Sequence, residues 1–168
     1  MKVEEVQVEN ASGYRGKQLD VASVVSTIEF RELKLRYGAG EQWQNIVESF
    51  GVVYVTSITR DGCSGCIEQK PLFRELASRM VKDTPDTVRF SNIHIRYSEA
   101  DSSESPEAKK ALRHGAYPTY TIYVKSRFGP LELYRAIYPT MEELEKQVNE
   151  AFSLAEYYKT DAEAQVKS

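Results

Sequence analysis

The chain has 168 residues, 41% apolar and 28% charged, a profile that suits one soluble globular domain and excludes a disordered or fibrous chain. Lys and Arg total 22 against 25 for Asp and Glu, a formal charge of -3, so the balance points away from nucleic acid and membrane lipid as partners. A chain of this size buries roughly two thirds of the surface its unfolded form exposes, enough for a core without disulfide staples. Its two cysteines, Cys63 and Cys66, are therefore available for chemistry.

Residues 1–20 carry interspersed charge and no apolar stretch long enough for a secretory signal, and no apolar run approaches the length that spans a bilayer. The expected location is cytoplasmic, where a close cysteine pair is more often catalytic or metal-binding than a stable crosslink. Val3, Val6 and Val8 suggest a short edge strand within an N-terminal extension over 1–27, which Gly13 and Gly16 would loosen into an arm. Alternation of Ile28, Phe30, Leu33, Leu35 and Tyr37 predicts a strand near 28–37, and Trp43, Ile46, Val47 and Phe50 predict a helix ending at Gly51. Val52 to Ile58 is a β-branched and aromatic run, apolar enough for a central strand buried on both faces. A turn at 59–62 leads to Cys63, and Ile67, Phe73, Leu76, Ala77 and Met80 form the inward stripe of a helix that Pro71 is expected to kink. Val88 to Tyr97 reads as a strand whose alternation slips between Phe90 and Ile93, as at a bulge.

After a polar loop at 101–104, Ser105 as N-cap and Pro106 at the first position start a short helix through Leu112, closed by Gly115. Thr119 to Val124 and Leu131 to Ile137 are two further strands joined by a six-residue loop. Thr140 with Glu143 makes a capping box for a last helix whose buried side includes Leu144, Val148, Ala151 and Ala155, and a polar, frayed tail is expected over 159–168. This order predicts an α/β fold with a mixed central sheet of four to five strands sandwiched by helices.

The chemistry centres on Cys63-Ser64-Gly65-Cys66. At a strand-to-helix junction the first cysteine meets unsatisfied backbone N–H groups and the positive end of the helix dipole. Such a setting lowers a thiol's pKa from about 8.5 toward about 3.5–7.5, which makes Cys63 the nucleophile and Cys66, one turn on, the resolving thiol. Metal is the competing reading, but His94 and His114 stand 28 and 48 residues beyond Cys66, a spacing unlike any compact finger, so no metal and no cofactor is expected. A second signal is Tyr117-Pro118-Thr119, with proline at a strand entry.

Taken together, the CxxC at a strand-to-helix junction, Pro71 five residues after the second cysteine, Asn92-Ile93, Pro118-Thr119, the hairpin and the closing helix resemble the thioredoxin superfamily over residues 28–158. The resemblance implies a thioredoxin-like fold, thiol-disulfide oxidoreductase activity with Cys63 and Cys66 catalytic, and a cis Pro118 stacked on the pair. It places a substrate chain along Tyr117 and Pro118, beside Gly62, Ser64 and Gly65. It further implies protein or peptide disulfides as substrates and a redox donor such as a thioredoxin-reductase-like enzyme or glutathione. The chain departs from the family at several points. Gly62 stands where the family has tryptophan, Ser64-Gly65 where it has Gly-Pro, Ser57 where it has a buried acid, Phe90 where it has lysine, and Ala136-Ile137-Tyr138 where it has a glycine. Asp61 is the nearest replacement for the acid, against an ordinary solvated turn role. These departures predict a couple less reducing than a housekeeping thioredoxin. Two other functions stay open: a redox-inert peptide-binding module using the Tyr117–Pro118 groove, and a metal or iron–sulfur scaffold built on the cysteine pair.

Overall fold

The computed structural model describes residues 24–38, 40–98 and 104–167. The strand suggested by Val3, Val6 and Val8, the Gly13–Gly16 arm and residues 101–103 of the expected loop lie outside the described residues, while Glu104, also expected in that loop, is helical. Strands β1 (Val25–Glu29), β2 (Val53–Arg60), β3 (Val88–Ile95), β4 (Thr119–Ser126) and β5 (Gly129–Ile137) form one mixed sheet in the order β1-β3-β2-β4-β5. The pairs β1–β3 and β2–β3 are parallel, while β2–β4 and β4–β5 are antiparallel. Parallel neighbours need crossover helices, and these supply the two outer layers. Helices α1 (Phe30–Tyr37) and α3 (Glu104–Leu112), with a 3-10 helix at Glu41–Ile46, cover one face, and α2 (Ser64–Asp83) and α4 (Met141–Lys167) the other.

β2 is the central strand, and its alternation divides the core in two. Val53 and Val55 pack with Phe73, Leu76, Ala77, Leu144 and Val148, whereas Tyr54 and Ile58 pack with Phe30, Leu33, Trp43 and Leu112. Burial on both faces is what makes the run Val52–Ile58 continuously apolar. The same two-sided burial accounts for the slip between Phe90 and Ile93. Phe90 belongs to one cluster and Ile93 to the other, and β3 keeps uninterrupted register with both neighbours, so there is no bulge. The register shift in the sheet lies between Ile122 and Tyr123, opposite β5.

Several expected elements differ. The strand near 28–37 exists only through Glu29; from Phe30 onward the chain is helical, with Phe30 and Leu33 each 2% exposed and Leu35 at 86%. The buried positions at i and i+3 are a helical stripe, which Leu35 disguised as alternation. The segment expected as a helix through Phe50 is a 3-10 helix that ends at Ile46. Pro71 lies within α2, which runs on through it. Ser105 falls inside α3, and that helix gives way at Arg113 (φ 59) before Gly115 is reached.

The hairpin link is two residues, Arg127 and Phe128, because β4 and β5 extend further than their apolar runs. Pro130 is tolerated in β5 because that strand is an edge. Thr140 Oγ1 accepts from the Glu143 N–H at 3.1 Å, one arm of the expected capping box. Where a frayed tail was expected from 159, α4 continues to Lys167. That stretch is rich in good helix formers, and Arg127 grips Asp161 with two hydrogen bonds, Nε at 3.1 Å and Nη2 at 2.8 Å.

Ile93 is fully buried at the centre of the parallel pairs. Ile93→Ala is expected to cost about 2–5 kcal/mol, read as a fall in the urea midpoint with an unchanged m value.

Candidate functional site

The site forms where β2 ends. β2 runs on to Arg60, two residues into the expected turn at 59–62; Asp61 leaves the sheet, Gly62 turns the chain at φ 70, and Cys63 becomes the N-cap of α2. Gly62 is used at a backbone angle that side chains rarely adopt, and its missing side chain leaves open space beyond Arg60. Cys63 and Cys66 are joined as a disulfide with a Cα–Cα distance of 5.2 Å. Cys63 Sγ accepts the Cys66 backbone N–H at 3.1 Å, so one of the first N–H groups of α2 is already directed at the sulfur that would carry negative charge. The two cysteines are almost equally enclosed, 8% and 6% exposed. Cys66 is the more buried of the two by a slight margin.

Ser64 is exposed at the first turn of α2, while Gly65 faces inward. A Cβ on Gly65 would lie 3.3 Å from Pro118 Cδ and 3.5 Å from Tyr138 Cε1. The Tyr117–Pro118 peptide is cis. Pro118 is thereby packed against Gly65 in the turn between the cysteines, from 53 residues further along the chain. Tyr117 is half-buried, its hydroxyl hydrogen-bonded with Ser105 at 2.9 Å and its ring edge-on to His114 at 4.7 Å. Of the residues picked from the sequence, Cys63, Cys66, Gly65 and Pro118 thus meet directly, Gly62 and Ser64 flank the pair, and the Tyr117 ring turns toward α3.

Tyr138 is a site residue that sequence reasoning passed over. It holds φ 50, its N–H donates to the Pro118 carbonyl at 2.9 Å, and its hydroxyl donates to Glu68 Oε1 at 2.6 Å. The ring is pinned over Gly65 between the cis peptide and α2. Next to it, Gln69 Nε2 donates to the Pro139 carbonyl at 2.7 Å, a second tie between α2 and the approach to α4. The one signal in the sequence was a tyrosine in the place of the expected glycine, which left its direction open.

Beside Cys66, the ends of β2 and β3 supply a small polar, uncharged group to a shared cleft. Ser57 is buried, and Asn92 Nδ2 donates to Ser57 Oγ at 2.8 Å and Thr59 Oγ1 at 2.9 Å. Further out, His94 is held between two carboxylates, Nδ1 at 2.9 Å from Glu29 Oε1 and Nε2 at 2.8 Å from Asp61 Oδ1. Asp61 Oδ2 also accepts the Tyr97 N–H at 3.1 Å. Burial opposes charge on His94, but the hydrogen bonds and negative charges of Glu29 and Asp61 outweigh it and raise its pKa above the ordinary imidazole value. Asp61 therefore serves to hold the turn and His94. A cleft of about 410 Å³ opens between α2 and the ends of β1, β2 and β3, with Cys66, Gly62, Asn92 and His94 among its walls. His114 is different: burial, aided by Arg135 and Lys109, pushes its pKa down to about 4. Both ring nitrogens of His94 face carboxylates and His114 is buried against Tyr117. Among the described residues, no three of His, Cys, Asp or Glu are grouped to hold a metal ion.

No family model and no curated protein sequence matches the chain. Solved structures do. Thioredoxin from Trichomonas vaginalis is similar with a TM-score of 0.53 at 12% identity, covering 75% of this chain and 96% of that one. Thioredoxin from Trypanosoma brucei brucei is similar with a TM-score of 0.51 at 21% identity, covering 77% and 94%. The chain has a thioredoxin-like fold, an α/β architecture with a five-stranded mixed sheet between helical layers. No helix among the described residues is long and apolar enough to cross a membrane.

The two histidines give opposite pH dependences. His94, with its pKa raised, contributes stability that is full below about pH 6.5 and is lost as pH rises through its folded-state value. His114, with its pKa lowered, contributes stability that is full above about pH 6.5 and is lost as pH falls toward 4. The difference in urea stability between the native protein and His94→Gln should therefore be larger at pH 6 than at pH 9; an equal difference would refute the ion-pair assignment.

Proposed function

We propose that the protein is a thiol-disulfide oxidoreductase acting on protein or peptide disulfides in a reducing compartment, the cytoplasm. The observation that carries this reading is the placement of Cys63 Sγ at the N-cap of α2, with the Cys66 N–H directed at it and Pro118 packed on the intervening turn. In the dithiol form, Cys63 thiolate attacks a substrate disulfide and expels one substrate thiolate. Cys66 then attacks Cys63 Sγ, the mixed disulfide breaks, and the second substrate thiol leaves as the Cys63–Cys66 disulfide forms. The substrate is oxidised before the cycle and reduced after it, and the two electrons come from the dithiol. A separate donor, a thioredoxin-reductase-like enzyme or glutathione, restores it. The cis peptide at Pro118 supplies the floor on which an extended substrate segment lies, and Tyr138 supplies its wall.

Reduction of insulin disulfides by the dithiol form should fall to the uncatalysed rate in Cys63→Ser, while the variant keeps its folded circular dichroism spectrum. Activity that survives the substitution would overturn the assignment in favour of a redox-inert binding module.

The polar surroundings of Cys66 bear on the redox couple. With Ser57 and Asn92 in place of a buried carboxylate, the groups behind Cys66 add no negative charge, and the helix N-terminus favours the Cys63 thiolate. A stabilised thiolate stabilises the reduced form and makes the couple more oxidising. Equilibration with glutathione buffers is expected to return a potential above about -270 mV.

A further inference from the structure

The disulfide has two approaches. On one side lie Pro118 and Tyr138, packed over Gly65. On the other lies the 410 Å³ cleft, whose wall includes Cys66 but not Cys63. Its volume falls within the roughly 300–1,000 Å³ typical of small-molecule sites. It is open because Gly62 has no side chain to lay across it and Ser57, Thr59 and Asn92 on its floor are short.

Cations run along one wall. Cys66, Lys70 and Arg74 stand at i, i+4 and i+8 on α2, and all three line the cleft. Each step of four residues advances about 6 Å along the helix, so positive charge lies about 6 and about 12 Å from the sulfur-bearing residue. Neither Lys70 nor Arg74 makes an ion pair among the described residues. The acids on the opposite rim, Glu29 and Asp61, are both engaged by His94. Arg60 also lines the cleft, with its guanidinium 4.2 Å from the Tyr97 ring centre and Nη1 donating to the Asp61 carbonyl at 2.8 Å.

Resting on the oxidoreductase reading, we propose that this cleft binds a low-molecular-weight thiol carrying carboxylates and that such a thiol reduces the protein by attacking Cys66, not Cys63. Its thiolate attacks Cys66 Sγ from the cleft, a bond forms between the two sulfurs, and the Cys63–Cys66 bond breaks. The electron pair goes to Cys63 Sγ, which leaves as a thiolate already facing the Cys66 N–H at 3.1 Å. Disulfide exchange is faster when the departing thiol is the more acidic one, and Cys63 at the helix N-cap is that thiol. A second thiolate then attacks the small thiol's sulfur in the mixed disulfide, releasing the small-molecule disulfide and Cys66 as a thiolate that takes up a proton. In sum, two thiols become one disulfide and the protein disulfide becomes a dithiol. The carboxylates of the incoming thiol lie along Lys70 and Arg74. Peptide disulfides and the regenerating thiol thus use opposite sides of one redox centre.

The test uses the oxidised full chain and glutathione as the probe, quenched at short times into excess N-ethylmaleimide and mapped by mass spectrometry. The expected product carries glutathione on Cys66 and maleimide on Cys63. In parallel, K70E/R74E should lower the rate of reduction by glutathione about fivefold more than that by uncharged 2-mercaptoethanol. Glutathione on Cys63 with maleimide on Cys66, or an equal effect of K70E/R74E on the two thiols, would overturn the proposal. Loss of insulin reduction in Cys63→Ser alongside either of those results would leave the oxidoreductase reading standing and remove this inference alone.

Discussion

The contact on which the site depends is the packing of Gly65 against Pro118. A Cβ at position 65 would come within 3.3 Å of the proline ring, tighter than ordinary contacts, so any side chain there would make the ring or the first turn of α2 give by a few tenths of an ångström. From that contact the other arrangements follow. The first turn of α2 is held against the entry of β4, Cys63 is kept at the N-cap, and Tyr138 reaches across with its N–H on the Pro118 carbonyl and its hydroxyl on Glu68. The central position of β2 makes this possible, because β2 pairs with β3 on one side and β4 on the other and so delivers Cys63 and Pro118 to the same end of the sheet.

Electrostatics around the pair are arranged differently on each side. Beside Cys66 there are hydroxyls and an amide, with Asn92 Nδ2 donating to both Ser57 Oγ and Thr59 Oγ1. Charge is moved outward to the Glu29–His94–Asp61 cluster, where one imidazole is shared by two carboxylates from elements 32 residues apart in sequence. A protonated imidazole between two acids is favoured by both, which ties β1, β3 and the turn before Cys63 together. On the other side of the pair, Pro118 and the Tyr138 ring pack over Gly65. The cysteine pair thus sits between the cleft and the Pro118–Tyr138 contact.

Much of this was legible in the sequence where the cause was local. The run Val52–Ile58 reads as a central strand because both of its faces are buried, and Cys63 reads as a helix N-cap because it follows a strand and a glycine turn. Where two causes produce the same pattern, the reading went astray. Ile28 with Phe30, and Leu33 with Leu35 and Tyr37, alternate, while Phe30 and Leu33 also fit a helical stripe, until burial shows that Leu35 faces solvent. The slip in β3 looks like a bulge until both sheet faces are known to be covered. The tail beyond 159 looks polar and loose, yet Arg127 in a distant hairpin pairs with Asp161 and the helix persists.

What the chain determined by itself were the features carried by neighbouring residues: an α/β order of elements, a close pair of cysteines at a helix start, and a proline before a strand. Those follow from backbone geometry, helix termini and apolar periodicity, all of which act over a few residues. Only the tertiary structure decided that Tyr138 lies over Gly65, that His94 is clasped by Glu29 and Asp61, and that a cleft opens on Cys66 with Lys70 and Arg74 along it. Each of these joins groups tens of residues apart. Their directions are set by sheet order and helix placement, which no local pattern encodes.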